Sequence, residues 1–227
     1  MVGAESDFER ISAPYLKRIL DDDGGRYFDI MNFHDYDYSN NAIEKQAKGY
    51  KELLKAYGYE KPLWITETGI TSDIDGPEPW LQGSIEKQAR WVIKGFVSGF
   101  ACGAEKVFWH ALYDSPALGS AGLISLNGKP KPSFYTYRVM TSKLDDFISV
   151  KTINTGQYKF EFSNKKPVYV LWTDSGSKAV DLSGYIKTNN VKLTRIIERE
   201  GQREPNIEFV SSHGVPIGDS PIFLEEH

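Results

Sequence analysis

The sequence predicts two regions of different fold class, an α/β region over residues 1–145 and an all-β region over residues 146–227. Helical and strand-like patterns alternate up to residue 144, which is the element order of a parallel sheet with right-handed crossovers. After Asp145, short strand-like segments are separated by Gly, Asn, Asp and Ser, which is typical of a β-sandwich. In addition, the apolar run 63–65 leads directly to Glu67, as expected for a buried parallel strand with a polar group at its carboxyl end.

Each element follows from a residue pattern. Apolar residues recur at helical spacing in four segments, and glycines follow the first two, as is common past a helix end. The predicted helices are 6–20, 41–57, 85–100 and 132–144, and the predicted strands between them are 27–33, 63–67 and 106–110. In the all-β region the predicted strands are 158–162, 167–173, 179–182, 191–198 and 221–224.

Composition excludes several classes of function. The chain of 227 residues is 40% hydrophobic and 13% aromatic, which suits a globular protein. A net charge of −4 provides no basic field for nucleic acid and no polybasic patch for a membrane surface. The one cysteine, Cys102, allows no internal disulfide framework and is expected to be a small buried hydrophobe. No apolar run is long enough to span a membrane, and residues 1–5 do not have the pattern of a signal peptide.

Polar and aromatic side chains follow three successive strands of the predicted parallel sheet. Because the carboxyl ends of such strands lie at one edge of the sheet, we expect these groups to converge on one pocket. Side chains alternate along a strand, so Leu63, Ile65 and Glu67 are expected to share one face, which would be a barrel interior. The groups are His34 and Tyr36 after the first strand, Glu67 on the second, and Trp109, His110, Tyr113 and Asp114 after the third.

These residue types together indicate sugar chemistry. A carboxylate beside a tyrosine hydroxyl and a histidine is held ionised and oriented, as a nucleophile must be. A tryptophan at the same level offers an apolar plate for the face of a sugar ring. Singly, each group also has a structural explanation: His34 as a hydrogen-bonded strand-end histidine, Tyr36 as a wall residue and Trp109 as part of the core.

The ordered segments His34-x-Tyr36, Trp64–Glu67 and Val107–Trp109 resemble strands six, seven and eight of clan A retaining glycoside hydrolases. The segment Gly122–Pro132 resembles the sequence that follows the barrel in those enzymes, and Val215–Phe223 resembles the last strand of their appended β-sandwich. The resemblance covers nearly the whole chain. It implies the C-terminal half of a (β/α)8 TIM barrel over residues 1–145, followed by a small β-sandwich over residues 146–227.

The resemblance also implies roles for individual residues. Glu67 would be the nucleophile in retaining hydrolysis of O-glycosidic bonds in a poly- or oligosaccharide, and Tyr36 or His34 would support its carboxylate. Trp109 would lie under the sugar, followed by a non-proline cis peptide bond, and Tyr113 would also contact substrate. The clan requires no metal and no cofactor, and His34 and His110 lack a convincing set of metal ligands around them.

The sequence departs from the clan at the second catalytic group. Retaining hydrolysis requires a second carboxyl group, which in the clan is the Glu of an Asn-Glu pair ending strand four, and this sequence contains no Asn-Glu dipeptide. Residues 2–5 resemble the tail of strand five, and a complete barrel takes about 250 residues, so we expect strands one to four and most of five to be missing. The weak candidates for a replacement acid are Glu5, Asp73, Asp75, Glu78 and Asp114.

Three functions remain open from the sequence. The first is a glycosidase-like half-barrel that is incomplete alone, and its open interior predicts self-association or a complementary N-terminal half-barrel as partner. The second is a non-catalytic carbohydrate-binding or interaction protein derived from a glycosidase. The third, a different α/β enzyme, has no glycine-rich phosphate loop and no nucleophile elbow to support it. The rings available for sugar stacking are Tyr36, Trp64, Trp80, Trp109 and Tyr113.

Overall fold

A computed structural model describes residues 8, 12–37, 41–73, 82–116 and 119–227. The predicted tail of strand five, the candidate acids Glu5, Asp75 and Glu78, and Trp80 lie outside these residues. The first part of the chain alternates helices and strands: α1 (Ala13–Asp21), β1 (Met31–Asp35), α2 (Ala42–Ala56), β2 (Leu63–Thr68), α3 (Ile85–Ala101), β3 (Lys106–Trp109) and α4 (Pro132–Leu144). The predicted α/β order is therefore present in the described residues.

Strands β1, β2 and β3 form a parallel sheet in that order, with β2 in the middle. Helices α2 and α3 connect successive strands, because parallel neighbours need a crossover. The side chains of Ser84 and Pro132 mark two helix starts: Ser84 Oγ accepts a hydrogen bond from the backbone N–H of Lys87 at 3.1 Å, and Pro132 opens α4, where a missing N–H costs nothing.

One face of the parallel sheet packs against the helices. Phe33, Leu63 and Ile65 are buried in one hydrophobic core together with residues of α2 and α3, such as Tyr50 and Phe96. A Cβ atom at Gly99 of α3 would lie 3.0 Å from Ile65 Cδ1, which shows how closely this helix approaches the sheet. Leu63 and Ile65 therefore face the helices and not a barrel interior.

A bulge moves Glu67 to the opposite face. Phe33 is paired with Ile65, but the next residue of β1, His34, is paired with Glu67, so β2 contains one extra residue, Thr66. Asn32 Nδ2 donates a hydrogen bond to Thr66 Oγ1 at 2.9 Å on the face away from the helices. The expectation that Leu63, Ile65 and Glu67 share a face is wrong, because strict alternation holds only along an unbulged strand.

The last third of the chain is antiparallel. Strands β4 (Ser149–Asn154), β5 (Gln157–Glu161), β6 (Val168–Leu171), β8 (Asn190–Arg195), β9 (Ile207–Ser211) and β11 (Ile222–Glu226) form a six-stranded sheet in the order β4-β5-β6-β11-β8-β9. Strands β7 (Lys178–Val180) and β10 (Val215–Ile217) form a separate two-stranded sheet.

The six-stranded sheet lies between two cores. Alternate residues such as Phe160, Val170 and Phe223 belong to the core that contains the helices. Their neighbours, such as Leu171 and Leu224, belong to a second core that the two-stranded sheet covers. This alternation is the period of two expected for strands buried on both faces.

Several boundaries differ from the predicted ones. Tyr27, predicted as the first residue of the first strand, ends a 3₁₀ turn, Gly24–Tyr27, and β1 begins only at Met31. Of the predicted first helix 6–20, residues 6, 7 and 9–11 lie outside the described residues, and the α-helical span is Ala13–Asp21, with Pro14 in its first turn. Strands β4 and β9 were not predicted from the sequence; they lie at the two edges of the six-stranded sheet, where their residues are partly exposed and polar.

Candidate active site

The carboxyl ends of the three parallel strands bring four polar side chains together. His34 lies on β1 and Tyr36 directly after it, Glu67 is the fifth residue of β2, and His110 follows β3. The pairing of His34 with Glu67 places these two residues side by side. Of the strand-end groups expected to converge, the structure therefore brings together His34, Tyr36, Glu67 and His110.

Three side chains contact the same oxygen of Glu67. The Tyr36 hydroxyl donates a hydrogen bond to Glu67 Oε2 at 2.6 Å. His34 Nδ1 lies 3.3 Å from this oxygen, and His110 Nδ1 lies 3.8 Å from it. The Tyr36 oxygen is also 3.0 Å from His110 Nδ1. Hydrogen bonds to a carboxylate stabilise its ionised form and fix its orientation.

The carboxylate remains accessible. The side chains of Glu67, His34 and His110 are 30%, 31% and 33% exposed. All contacts found for Glu67 among the described residues involve Oε2, and none of these residues occupies Oε1. A half-buried carboxylate with one oriented oxygen and one free oxygen has the arrangement needed for attack on an electrophilic carbon.

Trp109 and Tyr113 are placed differently. Trp109 lies on the same face of β3 as Val107, which packs in the core beside α3. The Trp109 ring packs against that core. The Trp109 indole N–H donates to the carbonyl of Ala121 at 3.1 Å. Tyr113 is 55% exposed and pairs with Ile124 through the backbone. Neither contacts Glu67 within the described part of the chain, so their binding of substrate stays a prediction.

His110 belongs to the site, although the sequence pattern does not predict a role for it. The sequence groups it with the strand-end residues but assigns it no role. Alternation along β3 directs Val107 and Trp109 to the helices and His110 to the opposite face. The non-proline cis peptide bond joins His110 to Ala111, one residue later than expected.

A buried network supports the loops around this site. Lys131 Nζ donates to Asp114 Oδ1 at 2.7 Å, to Ser72 Oγ at 3.0 Å and to the carbonyl of Ser120 at 2.8 Å. These bonds join the segment after β2 to the segment after β3. A cavity of about 1020 Å³ lies beside Asp114 and Lys131. Because its carboxylate is paired with Lys131, Asp114 is poorly suited to act as the missing acid.

Asp35 is a buried carboxyl group between two residues of the site. It is 0% exposed, and Gln46 Nε2 donates a hydrogen bond to its Oδ1. Its other oxygen, Oδ2, has no partner among the described residues. Burial and, to a smaller extent, the nearby charge of Asp37 raise the pKa of Asp35 to about 8, against the opposing hydrogen bond from Gln46.

The described residues contain neither a metal-binding cluster nor a membrane-spanning helix. No group of three or more His, Cys, Asp or Glu side chains in this part of the chain could hold a metal ion. None of the described helices is long and apolar enough to cross a membrane.

Comparison with known proteins shows the fold. No protein-family model matches the chain, and no curated protein matches it. Among solved structures, a family 39 glycoside hydrolase from the gut symbiont Bacteroides cellulosilyticus WH2 is similar, with a TM-score of 0.63 and 16% identity over 94% of this chain. A β-porphyranase of glycoside hydrolase family 86 from the human gut bacterium Bacteroides plebeius also has a TM-score of 0.63, with 14% identity over 98% of the chain.

The chain spans about half of each similar structure, 47% of the first and 46% of the second. At these identities the likeness concerns the fold alone. The chain therefore has a glycoside-hydrolase-like fold, as the sequence resemblance predicts.

Proposed function

We propose that this chain is the C-terminal half of the catalytic region of a clan A retaining glycoside hydrolase, with Glu67 as nucleophile. In this proposal β1, β2 and β3 correspond to the last three strands of a (β/α)8 barrel, and residues 146–227 form its β-sandwich. The observation that carries the proposal is the Glu67 carboxylate at the end of the middle parallel strand, with the Tyr36 hydroxyl 2.6 Å from Oε2 and two imidazoles beside it.

The proposed reaction uses Glu67 Oε1, the carboxylate oxygen without a contact among the described residues. Glu67 Oε1 attacks the anomeric carbon, the bond from that carbon to the glycosidic oxygen breaks, and a glycosyl ester forms. The leaving oxygen takes a proton from an acid, and water later hydrolyses the ester. The Tyr36 hydroxyl holds Oε2, with His34 and His110 beside it, so that the carboxylate keeps one orientation through both steps.

The second carboxyl group has to come from elsewhere. Retaining enzymes have it about 5–5.5 Å from the nucleophile, and no described residue brings a carboxyl group into contact with Glu67. Within the described residues β1 and β3 each pair only with β2, and the exposed Phe108 contacts Trp64 on the open face of the sheet. An open edge and an open apolar face fit a complementary N-terminal half-barrel, in the same polypeptide or another, or a second copy of this chain.

The proposal is tested with dinitrophenyl β-glycosides, whose leaving group needs no acid. We expect Glu67→Ala to lose turnover and to regain it with added azide, which occupies the space of the carboxylate and gives a glycosyl azide of inverted configuration. Glu52→Ala, at an exposed position on α2, is the matched control and should behave as the unmodified chain. Turnover that survives Glu67→Ala without azide contradicts the assignment.

A second candidate function is non-catalytic carbohydrate binding. It is favoured by the observation that no described residue brings a second carboxyl group to Glu67. It predicts saturable binding of an oligosaccharide that survives Glu67→Gln, and no azide rescue of any variant. Binding without turnover of activated glycosides by the unmodified chain would favour this function over hydrolysis.

A further inference from the structure

The second nitrogen of His110 has no role in the contacts described so far. Nδ1 of this ring lies 3.0 Å from the Tyr36 oxygen and 3.8 Å from Glu67 Oε2. The ring meets Tyr36 edge-on, with centroids 6.5 Å apart and planes at 72°. Nε2, on the far side of the imidazole, has no hydrogen-bond partner among the described residues, and the side chain is 33% exposed.

The positions of the protons on Tyr36 and His110 follow from the Glu67 carboxylate, which accepts hydrogen bonds. An ionised carboxylate can only accept, so the single hydroxyl proton of Tyr36 goes to Glu67 Oε2. The Tyr36 oxygen must then accept from His110, which places a proton on His110 Nδ1. In a neutral imidazole the other nitrogen carries a lone pair and is an acceptor. His110 Nε2 is therefore a hydrogen-bond acceptor next to the nucleophile.

His34 is the second imidazole beside Glu67. Its Nδ1 lies 3.3 Å from Glu67 Oε2. Among the described residues, the Tyr36 hydroxyl is thus directed at Glu67 Oε2 and the Nδ1–H of His110 at the Tyr36 oxygen. In this same part of the chain, the acceptors left for a ligand are Glu67 Oε1 and His110 Nε2.

We propose that His110 is a specificity-determining residue whose Nε2 accepts a hydrogen bond from a hydroxyl group of a neutral sugar bound at Glu67. This inference rests on the proposed function, because it needs a sugar at the site, and it narrows the substrate class. A uronic acid or sulfated sugar would place a negative charge beside a carboxylate and lone pairs, which is unfavourable by Coulomb repulsion. A neutral pyranoside instead supplies hydroxyl donors to these acceptors.

The tautomer is tested first, in the protein without ligand. The chain has four histidines, so their imidazole ¹⁵N resonances can be assigned with single variants. We expect His110 to show a protonated Nδ1 and an unprotonated Nε2. A proton on Nε2 of neutral His110 overturns the inference whether or not a sugar binds.

Two variants then separate the two nitrogens. Asn carries its amide nitrogen near the position of Nδ1, and Gln carries its amide near the position of Nε2. For a panel of neutral methyl glycosides, we expect His110→Asn to bind about tenfold more weakly, since it loses one hydrogen bond, and His110→Gln to stay within about threefold. His213→Asn, in the turn between β9 and β10, is the matched control with unchanged affinity.

The outcomes distinguish this inference from the proposed function. Sugar binding that is unchanged in His110→Asn, or tighter binding of a methyl glucuronide than of its neutral counterpart, overturns the inference and leaves Glu67 as nucleophile. Failure of every glycoside to bind the unmodified chain overturns the proposed function, and the inference with it.

Discussion

Replacing Asp35 with Asn should stabilise the protein, and more so as the pH rises. Asp35 is fully buried, and its Oδ2 lacks a partner among the described residues. Gln46 donates to Oδ1 through Nε2, while Gln46 Oε1 also lacks a partner there. An Asn at this position keeps an oxygen for Gln46, adds N–H donors and carries no charge to bury.

The magnitude follows from the shift in the pKa of Asp35, from 3.8 to about 8 on folding. Because the folded pKa is raised, the unfolded state ionises first, and the stability of the folded state falls as the pH rises from 3.8 to about 8. Each unit of difference corresponds to about 1.4 kcal/mol. The cost of Asp35 is therefore below about 1 kcal/mol at pH 4 and about 4 kcal/mol at pH 7, and Asp35→Asn removes it.

The assay is urea unfolding of the unmodified chain and of Asp35→Asn at pH 4, 7 and 9, followed by circular dichroism. We expect the free energy of unfolding of the variant to exceed that of the unmodified chain by an amount that grows between pH 4 and pH 9. Asp29→Asn, at an exposed position, should differ by less than about 0.5 kcal/mol at every pH. A difference for Asp35→Asn that is constant with pH, or a destabilisation at pH 7, refutes the reasoning.

Three further predictions concern the site and its support. Tyr36→Phe removes the hydrogen bond to Glu67 and should slow glycosylation of Glu67 by activated glycosides about 30-fold, corresponding to about 2 kcal/mol for a bond to a charged group, as followed by intact-protein mass. Thr136→Val leaves the N–H and carbonyl of Ile197 without their buried partner and should lower the urea unfolding free energy by about 3 kcal/mol. Gly69→Ala places a Cβ 2.6 Å from the His110 carbonyl oxygen and should slow the same glycosylation at least tenfold.

Each of these has a control. Tyr185→Phe removes an exposed hydroxyl far from Glu67 and should leave glycosylation unchanged. Thr141→Val affects a bond within one helix turn and should cost less than about 1 kcal/mol. Gly184→Ala meets no atom within 4 Å and should not affect the site. Equal effects in a variant and its control would contradict the corresponding prediction.

The position of Glu67 could be predicted from sequence because an apolar run of strand length ends there and helical patterns lie on both sides. The face on which it lies could not. The extra residue Thr66 in β2 has no sequence signal, and without the bulge the alternation from Leu63 and Ile65 places Glu67 toward the helices.

The sequence also could not show which side chains at the end of β3 lie on the side of Glu67. The pattern of β3 does not tell which of Trp109 and His110 lies on the side of Glu67, because only the packing of Val107 against α3 sets the face. Strands β4 and β9 escaped prediction for a different reason: both are edge strands, with Lys151 and Glu208 among residues that make no continuous apolar pattern.

The central claim, that Glu67 is a glycosidase nucleophile, is tested most directly by intact mass and peptide mapping after incubation with 2-fluoro dinitrophenyl glycosides of several sugars. The activated leaving group needs no acid, and the fluorine slows hydrolysis of the ester, so the nucleophile is measured alone. We predict one adduct per chain, attached to Glu67 and lost in Glu67→Gln. No adduct with any sugar, or an adduct on another carboxyl group, would contradict the claim.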